Sequence, residues 1–181
     1  MAQTIKLHDL EFTPYLSEDR LQVIVSEVAG KINHKYEGKT PLFVVVLNGA
    51  FMFASDLLKE VSVDCEISFL RVSSYRGTSS TGEVKELMPI GTDVTGRDVI
   101  LVEDIVDTGK TMGDVIAKMK LEGARSVSVC TLLFKPDAFQ GSYAVDLIGV
   151  EIPDRFVVGY GLDYDGLGRN LPSLYQIKPN T

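Results

Sequence analysis

Apolar residues along the chain follow two patterns, one typical of buried strands and one typical of amphipathic helices. Continuous apolar runs over residues 42–47 and 99–102 predict strands that are buried on both faces of a sheet. Ser17 is a favoured N-cap residue, and the helical spacing that follows it predicts a helix ending near Gly38. The apolar face of this helix consists of Leu21, Ile24, Val25, Val28, Ala29 and Ile32.

Strands and helices are predicted to alternate along the rest of the chain. The turn Asn48-Gly49-Ala50 leads into a helix from about Phe51 to Glu60. A later helix closes at Gly123, and its apolar face consists of Met112, Val115, Ile116 and Met119. Alternating or apolar runs predict further strands over residues 63–69 (half-exposed), 83–87, 127–135, 147–150 and 156–160.

This order of elements predicts an α/β fold. Strands that alternate with helices favour a doubly wound, mainly parallel sheet, and the terminal parts are expected to form a small hood. The chain contains 181 residues, with 45% hydrophobic and 24% charged residues, which is ordinary for one globular domain. No linker or repeat divides it, so we expect a single domain over residues 1–181.

The stretch that follows the 99–102 strand carries the most chemical information. Glu103 and Asp104 form an acidic pair, and a polar loop over residues 107–111 then opens the helix that contains Met112. The amides and dipole of a helix N-terminus favour phosphate, and Thr108 and Thr111 add hydroxyl donors. The pattern therefore predicts a phosphate site next to a site for a cation or a diol.

A P-loop is the nearest general motif, because Gly109-Lys110-Thr111 matches its last three positions. A P-loop also requires glycine at the position of Asp104, where a carboxylate would repel the phosphates that the loop must enclose. A P-loop nucleotide enzyme is therefore disfavoured.

The acidic pair and the loop resemble the ribose-phosphate loop of the type I phosphoribosyltransferases. Four further motifs resemble, within that family, the hypoxanthine or hypoxanthine-guanine phosphoribosyltransferases, and the resemblance extends from the first helix to Arg169. The motifs are Leu47-Asn48-Gly49-Ala50, Ser74-Tyr75, Phe134-Lys135-Pro136-Asp137 and Ile152-Pro153-Asp154-Arg155-Phe156-Val157-Val158-Gly159-Tyr160. A strand followed by a turn explains each motif singly, but five motifs in the family's order are specific.

The resemblance implies purine salvage with Mg²⁺ as cofactor. A 5-phosphoribosyl group would pass from phosphoribosyl pyrophosphate to nitrogen 9 of hypoxanthine, and also of guanine, giving IMP or GMP and pyrophosphate. Asp107 would be the general base that takes the proton from nitrogen 7. Lys135 would donate to the 6-oxygen, Phe156 would stack on the purine, and Val157 and Asp163 would also belong to the purine site.

The remaining roles are also implied by the resemblance. Glu103 and Asp104 would accept hydrogen bonds from the ribose hydroxyls, and with Asp163 they are the implied metal ligands. The 5-phosphate would be held by Asp107, Thr108, Gly109, Lys110 and Thr111. The pyrophosphate would be bound by Leu47, Asn48, Gly49 and Arg169, and many relatives have a basic residue at the position of Asn48.

A flexible segment is predicted over residues 73–82, which include two glycines and six serines or threonines. Such a composition cannot form a core and favours a mobile loop. The resemblance implies that this segment is a lid over the site, with Ser74 and Tyr75 at its root.

Charge, cysteine content and hydropathy indicate which partners and which cellular location to expect. A net charge of −7 and a pI near 4.8 oppose attraction to nucleic acid, which disfavours a nucleic-acid-binding regulator of this fold. Cys65 and Cys130 lie in separate apolar runs, which predicts two buried thiols, and His8 and His34 have no zinc-site spacing. No apolar run is long enough for a membrane span, so we expect a cytoplasmic protein without membrane contact. The resemblance implies a homodimer or a homotetramer.

Overall fold

A computed structural model describes residues 3–74 and 84–178 of the chain. The strands of its main sheet are β3 (Leu42–Leu47), β4 (Glu66–Ser74), β5 (Val84–Met88), β6 (Asp98–Val106), β7 (Ser126–Phe134) and β8 (Leu147–Glu151). They lie in the order β5-β4-β3-β6-β7-β8, and all are parallel to their neighbours except the edge strand β5. The predicted mainly parallel sheet is confirmed.

Helices cover both faces of this sheet. Helices α1 (Glu18–Lys35) and α2 (Phe51–Glu60) pack on the face that carries Phe43 and Ile100, and α3 (Lys110–Leu121) packs on the opposite face. The predicted N-cap of α1 is confirmed, because the Ser17 hydroxyl accepts a hydrogen bond from the Arg20 amide at 3.3 Å. All six residues predicted for its apolar face are buried. The predicted doubly wound arrangement is therefore confirmed.

A second, four-stranded sheet forms the hood from the two terminal parts of the chain. Its strands are β1 (Ile5–Leu7), β2 (Leu10–Leu16), β9 (Val157–Val158) and β10 (Leu174–Ile177), in the order β1-β2-β10-β9. The hood was predicted, but strands β1, β2 and β10 were not. The strand predicted over residues 156–160 is shorter than expected, because only two residues pair with β10 before a series of tight turns begins.

Strand β6 is longer than predicted. Its parallel pairing with β7 continues from Asp98 to Val106, so Glu103 and Asp104 lie within the strand and not after it. Successive residues of a strand face opposite sides of its sheet. The two neighbouring carboxylates are therefore expected to point into different parts of the site.

Strand β4 alternates as predicted, but it begins at Glu66, so Val63 and Cys65 precede it. Ile67 and Phe69 are both 47% exposed, whereas Ser68 and Leu70 are buried. Ile67 pairs with Phe43 and therefore lies on the sheet face that α1 and α2 cover. These helices pack mainly on β3, β6 and β8, so they leave this face of β4 exposed.

The predicted return strand is confirmed as β5, which pairs antiparallel with β4. Ser74 ends β4, whereas residues 75–83, which include Tyr75 and the rest of the predicted lid, lie outside the described residues. In the described ranges, no helix is long and apolar enough to cross a membrane. Cys130 is buried as predicted, and this burial raises the pKa of its thiol to about 12, whereas Cys65 is only half-buried.

Asp98, at the start of β6, is a buried carboxylate, and its ion pair with the exposed Arg125 should contribute to stability. It accepts hydrogen bonds from Arg125 Nε at 3.0 Å and from the Ser126 hydroxyl at 2.6 Å. These partners lower the pKa of Asp98 from its ordinary value of 3.8 to about 2. We expect Asp98→Asn to lower the free energy of unfolding at neutral pH by about 1 kcal/mol, a modest value because Arg125 is exposed and screened by water.

The pH dependence follows from the sign of this shift. Because folding lowers the pKa of Asp98, its contribution is complete above about pH 4 and disappears as the pH falls towards 2. Urea unfolding of the wild type and the variant should therefore differ at pH 7 and converge near pH 2. Asp64→Asn, at an exposed loop position, is the matched control. A difference of the same size at both pH values would contradict the prediction.

Candidate active site

The predicted phosphate loop encloses a small cavity at the carboxyl end of β6. The cavity has a volume of about 100 Å³ and is lined by Glu103, Ile105, Val106, Asp107, Thr108, Gly109, Lys110, Thr111 and Met112. All five residues predicted to hold the 5-phosphate thus line one space. Helix α3 begins at its edge, so the amides of the first helical turn lie beside it.

Gly109 shapes this loop. It is the N-cap of α3 and has a φ of 81°, a conformation that glycine adopts without the steric cost of a side chain. Its carbonyl oxygen accepts a hydrogen bond from the Tyr143 hydroxyl at 2.9 Å, and the Thr108 carbonyl accepts one from the Gln140 amide at 3.0 Å. The loop is therefore supported from outside by the segment that follows β7.

The two carboxylates of the acidic pair, Glu103 and Asp104, lie in different surroundings. Glu103 lines the phosphate cavity, whereas the Asp104 carboxylate lies against Gly49, in the turn between β3 and α2. Burial, and then the neighbouring charge of Asp104, raise the pKa of Glu103 well above its usual range. The two carboxylates can therefore contact different parts of a ligand that lies over the end of β6.

Lys135 follows β7 and connects two carboxylates that follow the strands on either side of it, β6 and β8. Its ammonium Nζ lies 3.0 Å from Asp107 Oδ2 and 2.9 Å from Asp154 Oδ1. Lys135 is only 6% exposed, so its ammonium depends on these acceptors. Asp107 and Lys135 thus form an acceptor and a donor side by side, next to the phosphate cavity.

A third set of predicted residues meets at the turn between β3 and α2. Arg169 donates to the Gly161 carbonyl oxygen at 2.7 Å and pairs with Asp163 at 2.6 Å. Gly161 packs so closely on Gly49 that a Cβ atom at residue 161 would overlap the Gly49 carbonyl. The structure thereby joins the predicted pyrophosphate residues, Arg169 and the turn after Leu47, through Gly161. The exposed Asn48 follows a cis peptide bond.

Phe156, the residue predicted to stack on the purine, directly precedes strand β9 of the hood. Phe156 is 42% exposed, and its ring packs against Phe12 and Tyr164, with ring centroids 6.1 and 5.8 Å away. The next residue, Val157, is buried in β9 and pairs with Gln176 of β10. Phe156 follows Asp154, the ion-pair partner of Lys135, by two residues in the chain.

Two supporting residues were not predicted from the sequence. Asp154 lies within one of the family motifs, but the sequence alone assigned no role to it, although it follows closely on the carboxyl end of β8. That position was a usable signal, because ligands of open α/β sheets bind at the carboxyl ends of strands. Tyr143 carries no such signal, since its contact with Gly109 joins residues that are 34 positions apart.

The donor chemistry fits a magnesium ion that arrives with a phosphate-bearing ligand. Among residues 3–74 and 84–178, no three His, Cys, Asp or Glu side chains are grouped closely enough to hold a metal ion alone. Mg²⁺ commonly takes one or two carboxylates and completes its coordination with water and substrate phosphates. Asp104 and Asp163 are partly exposed and offer that donor set, whereas Glu103 points into the phosphate cavity.

Gly49 should be intolerant of a side chain. A Cβ atom at this position would overlap the Asp104 carboxylate, so either the turn or the carboxylate must move. We expect Gly49→Ala to lower the free energy of unfolding by about 1–3 kcal/mol, the usual cost of overpacking. Chemical denaturation monitored by circular dichroism measures the change.

Gly30 provides a control of opposite sign. It lies in α1, and no atom lies within 4 Å of the position that an alanine Cβ would take. Gly30→Ala should therefore raise the free energy of unfolding by about 0.5–1 kcal/mol, because alanine favours the helix more than glycine does. Equal effects of the two substitutions would mean that the contact between Gly49 and Asp104 carries no steric constraint.

The chain is similar to known proteins in both sequence and structure. Residues 15–165 match the phosphoribosyl transferase domain family. The chain is 40% identical over 173 residues to the hypoxanthine-guanine phosphoribosyltransferase of Bacillus subtilis, covering 95% of this chain and 96% of that protein. It superposes on the crystal structure of a hypoxanthine phosphoribosyltransferase from Staphylococcus aureus with a TM-score of 0.87 and 39% identity, covering 92% and 91% of the two chains.

A longer relative also matches. The bifunctional protein TilS/HprT of Listeria innocua is 44% identical over 165 residues, which are 91% of this chain but 26% of that protein. The chain thus spans about a quarter of the length of this relative.

Proposed function

This chain belongs to the phosphoribosyl transferase domain family, and we propose that it is a purine salvage enzyme. It transfers the 5-phosphoribosyl group from phosphoribosyl pyrophosphate to hypoxanthine, and also to guanine. The products are IMP or GMP and pyrophosphate. The fold and the similarity to hypoxanthine-guanine phosphoribosyltransferases over nearly the whole chain support this proposal.

The observation that carries the proposal is the pairing of Asp107 with Lys135. A 6-oxopurine presents an acceptor, the 6-oxygen, beside a donor, the N–H at nitrogen 7. The protein presents the complementary pair, Lys135 Nζ as donor and Asp107 Oδ2 as acceptor, 3.0 Å apart. A base that bridges this pair lies next to the phosphate cavity, where the ribose 5-phosphate would be held.

The chemical steps follow from these positions. Nitrogen 9 of the purine forms a bond to the anomeric carbon of the ribose as the bond from that carbon to pyrophosphate breaks. The purine loses its proton from nitrogen 7 to the Asp107 carboxylate, and pyrophosphate leaves with the electron pair of the broken bond. Lys135 holds the 6-oxygen, and the ring of Phe156 covers the base.

Other predicted residues hold the sugar and the leaving group. The loop over residues 107–111 binds the 5-phosphate, and Glu103 and Asp104 accept hydrogen bonds from the ribose hydroxyls. Asp104 and Asp163 would hold Mg²⁺ together with pyrophosphate oxygens, and the ion when bound offsets the negative charge of the leaving group. Arg169 and the turn at Asn48 and Gly49 bind the pyrophosphate.

A spectrophotometric assay tests this function directly. Hypoxanthine, guanine, xanthine and adenine are each incubated with phosphoribosyl pyrophosphate and Mg²⁺, and formation of nucleotide is followed. We expect IMP from hypoxanthine and GMP from guanine. Absence of nucleotide formation from all three 6-oxopurines would overturn the proposal.

We also propose that the protein acts in the cytoplasm as a homodimer or homotetramer and that it binds neither nucleic acid nor membrane. Both cysteines are free thiols, and the net charge of −7 disfavours nucleic acid. The open apolar surface of Ile67 and Phe69 on β4 supports self-association. Light scattering coupled to gel filtration would measure the mass, and a monomer at micromolar concentration would contradict this part of the proposal.

A further inference from the structure

Asp107, Lys135 and Asp154 follow the carboxyl ends of the neighbouring strands β6, β7 and β8, in that order. The Lys135 amide donates to the Val106 carbonyl at 3.0 Å, and the Phe134 carbonyl accepts from the Ile152 amide at 2.8 Å. These main-chain hydrogen bonds hold the segment that contains Lys135 between the segment before Asp107 and the segment before Asp154. The side chain of Asp154 is 66% exposed, and the contact that positions it in the described structure is its ion pair with Lys135.

The Lys135 ammonium has three donors and no acceptor. Asp107 and Asp154 take two of them, which leaves the third for the 6-oxygen of a purine. Burial alone would lower the pKa of Lys135, but its hydrogen bonds to Asp154 and Asp107 outweigh burial and raise the pKa. The ammonium therefore remains charged and aimed only while it has anionic acceptors.

The two acceptors are not equivalent during the proposed reaction. Asp107 changes from a carboxylate to a neutral acid when it receives the proton from nitrogen 7, so its attraction for Lys135 weakens within each turnover. Asp154 receives no proton in these steps. We propose that Asp154 is a positioning residue that holds the Lys135 ammonium against the 6-oxygen while Asp107 changes charge.

This inference rests on the proposed function and extends it to a residue outside the reacting pair. It predicts that Asp154→Asn raises the KM for hypoxanthine about tenfold, the usual effect of losing one hydrogen bond to a charged group, and changes the KM for phosphoribosyl pyrophosphate less than about twofold. Asp154→Glu retains the charge and should recover part of the loss. Asp137→Asn is the matched control, because Asp137 is exposed in the loop that follows Lys135.

A double-mutant cycle tests whether Asp154 acts through Lys135. The dissociation constant of IMP is measured by calorimetry for the wild type, Asp154→Asn, Lys135→Gln and the double variant. We expect Asp154→Asn to weaken IMP binding about tenfold when it is introduced into the wild type. When it is introduced into the Lys135→Gln variant, it should weaken IMP binding no further. Circular dichroism confirms that each variant is folded.

The outcomes separate this inference from the proposed function. A wild type that does not convert hypoxanthine would overturn both. An active wild type in which Asp154→Asn matches Asp137→Asn, or in which the two substitutions of the cycle have additive effects, would overturn the role of Asp154 alone.

Discussion

Replacement of Asp107 by asparagine should lower the rate of the chemical step by about 10²–10⁴, the usual contribution of a general base. The carboxamide has nearly the shape of the carboxylate, so the loop around the phosphate cavity should persist. It cannot, however, take the proton that leaves nitrogen 7. Because Asp107 accepts this proton in the transition state and not when phosphoribosyl pyrophosphate binds, the KM for phosphoribosyl pyrophosphate should change by less than about twofold.

Rapid-quench measurement of a single turnover is the appropriate test, because slow product release would conceal the chemical step in steady-state rates. Asp114→Asn, an exposed position on α3, serves as a control for the loss of one carboxylate. An unchanged single-turnover rate in a folded Asp107→Asn variant would remove Asp107 from the proton transfer.

Adenine should be used at least about 10⁴ times less efficiently than hypoxanthine, measured as kcat/KM. Lys135 offers only donors, and the 6-amino group of adenine is also a donor, so the buried ammonium would face an unpaired partner. Sites with an unpaired polar group can discriminate by about 10⁴. The ion pairs with Asp107 and Asp154 strengthen the effect, because they keep Lys135 charged and prevent it from turning away.

Lys135→Gln provides the matched comparison. A glutamine amide can donate or accept, so the variant should lose much of its activity with hypoxanthine and discriminate far less between the two bases. Both substrates are assayed with the same preparation at saturating phosphoribosyl pyrophosphate. Comparable turnover of adenine and hypoxanthine by the wild type would exclude Lys135 as the specificity determinant.

Features that depend on neighbours in sequence were predictable. The apolar spacing of α1 and α3 identified every residue of their buried faces, because helical periodicity is a local property. The apolar runs of β3 and β6 identified the central strands for the same reason. The loop over residues 107–111 was also predictable, since a strand, a polar turn and a helix follow one another closely along the chain and form its cavity together.

Features that depend on pairing between distant segments were not predictable. Strands β1 and β10 contain only three and four residues, and β2, with seven, pairs with β10 from the opposite end of the chain, so their local patterns are weak. The exposed Ile67 and Phe69 follow from how far α1 and α2 extend over the sheet, which no local pattern encodes.

The sequence by itself determined the fold class and which residue types form the site, whereas the tertiary structure decided which of them meet. Pairing with β7 extends β6 through Glu103 and Asp104, so the first faces the phosphate cavity and the second lies against Gly49, although the two are adjacent in the chain. The order β6-β7-β8 places Lys135 between Asp107 and Asp154, which are 28 and 19 residues away. The physical reason is that side-chain chemistry and periodicity are local, while register and strand order are set by the burial of faces between remote segments.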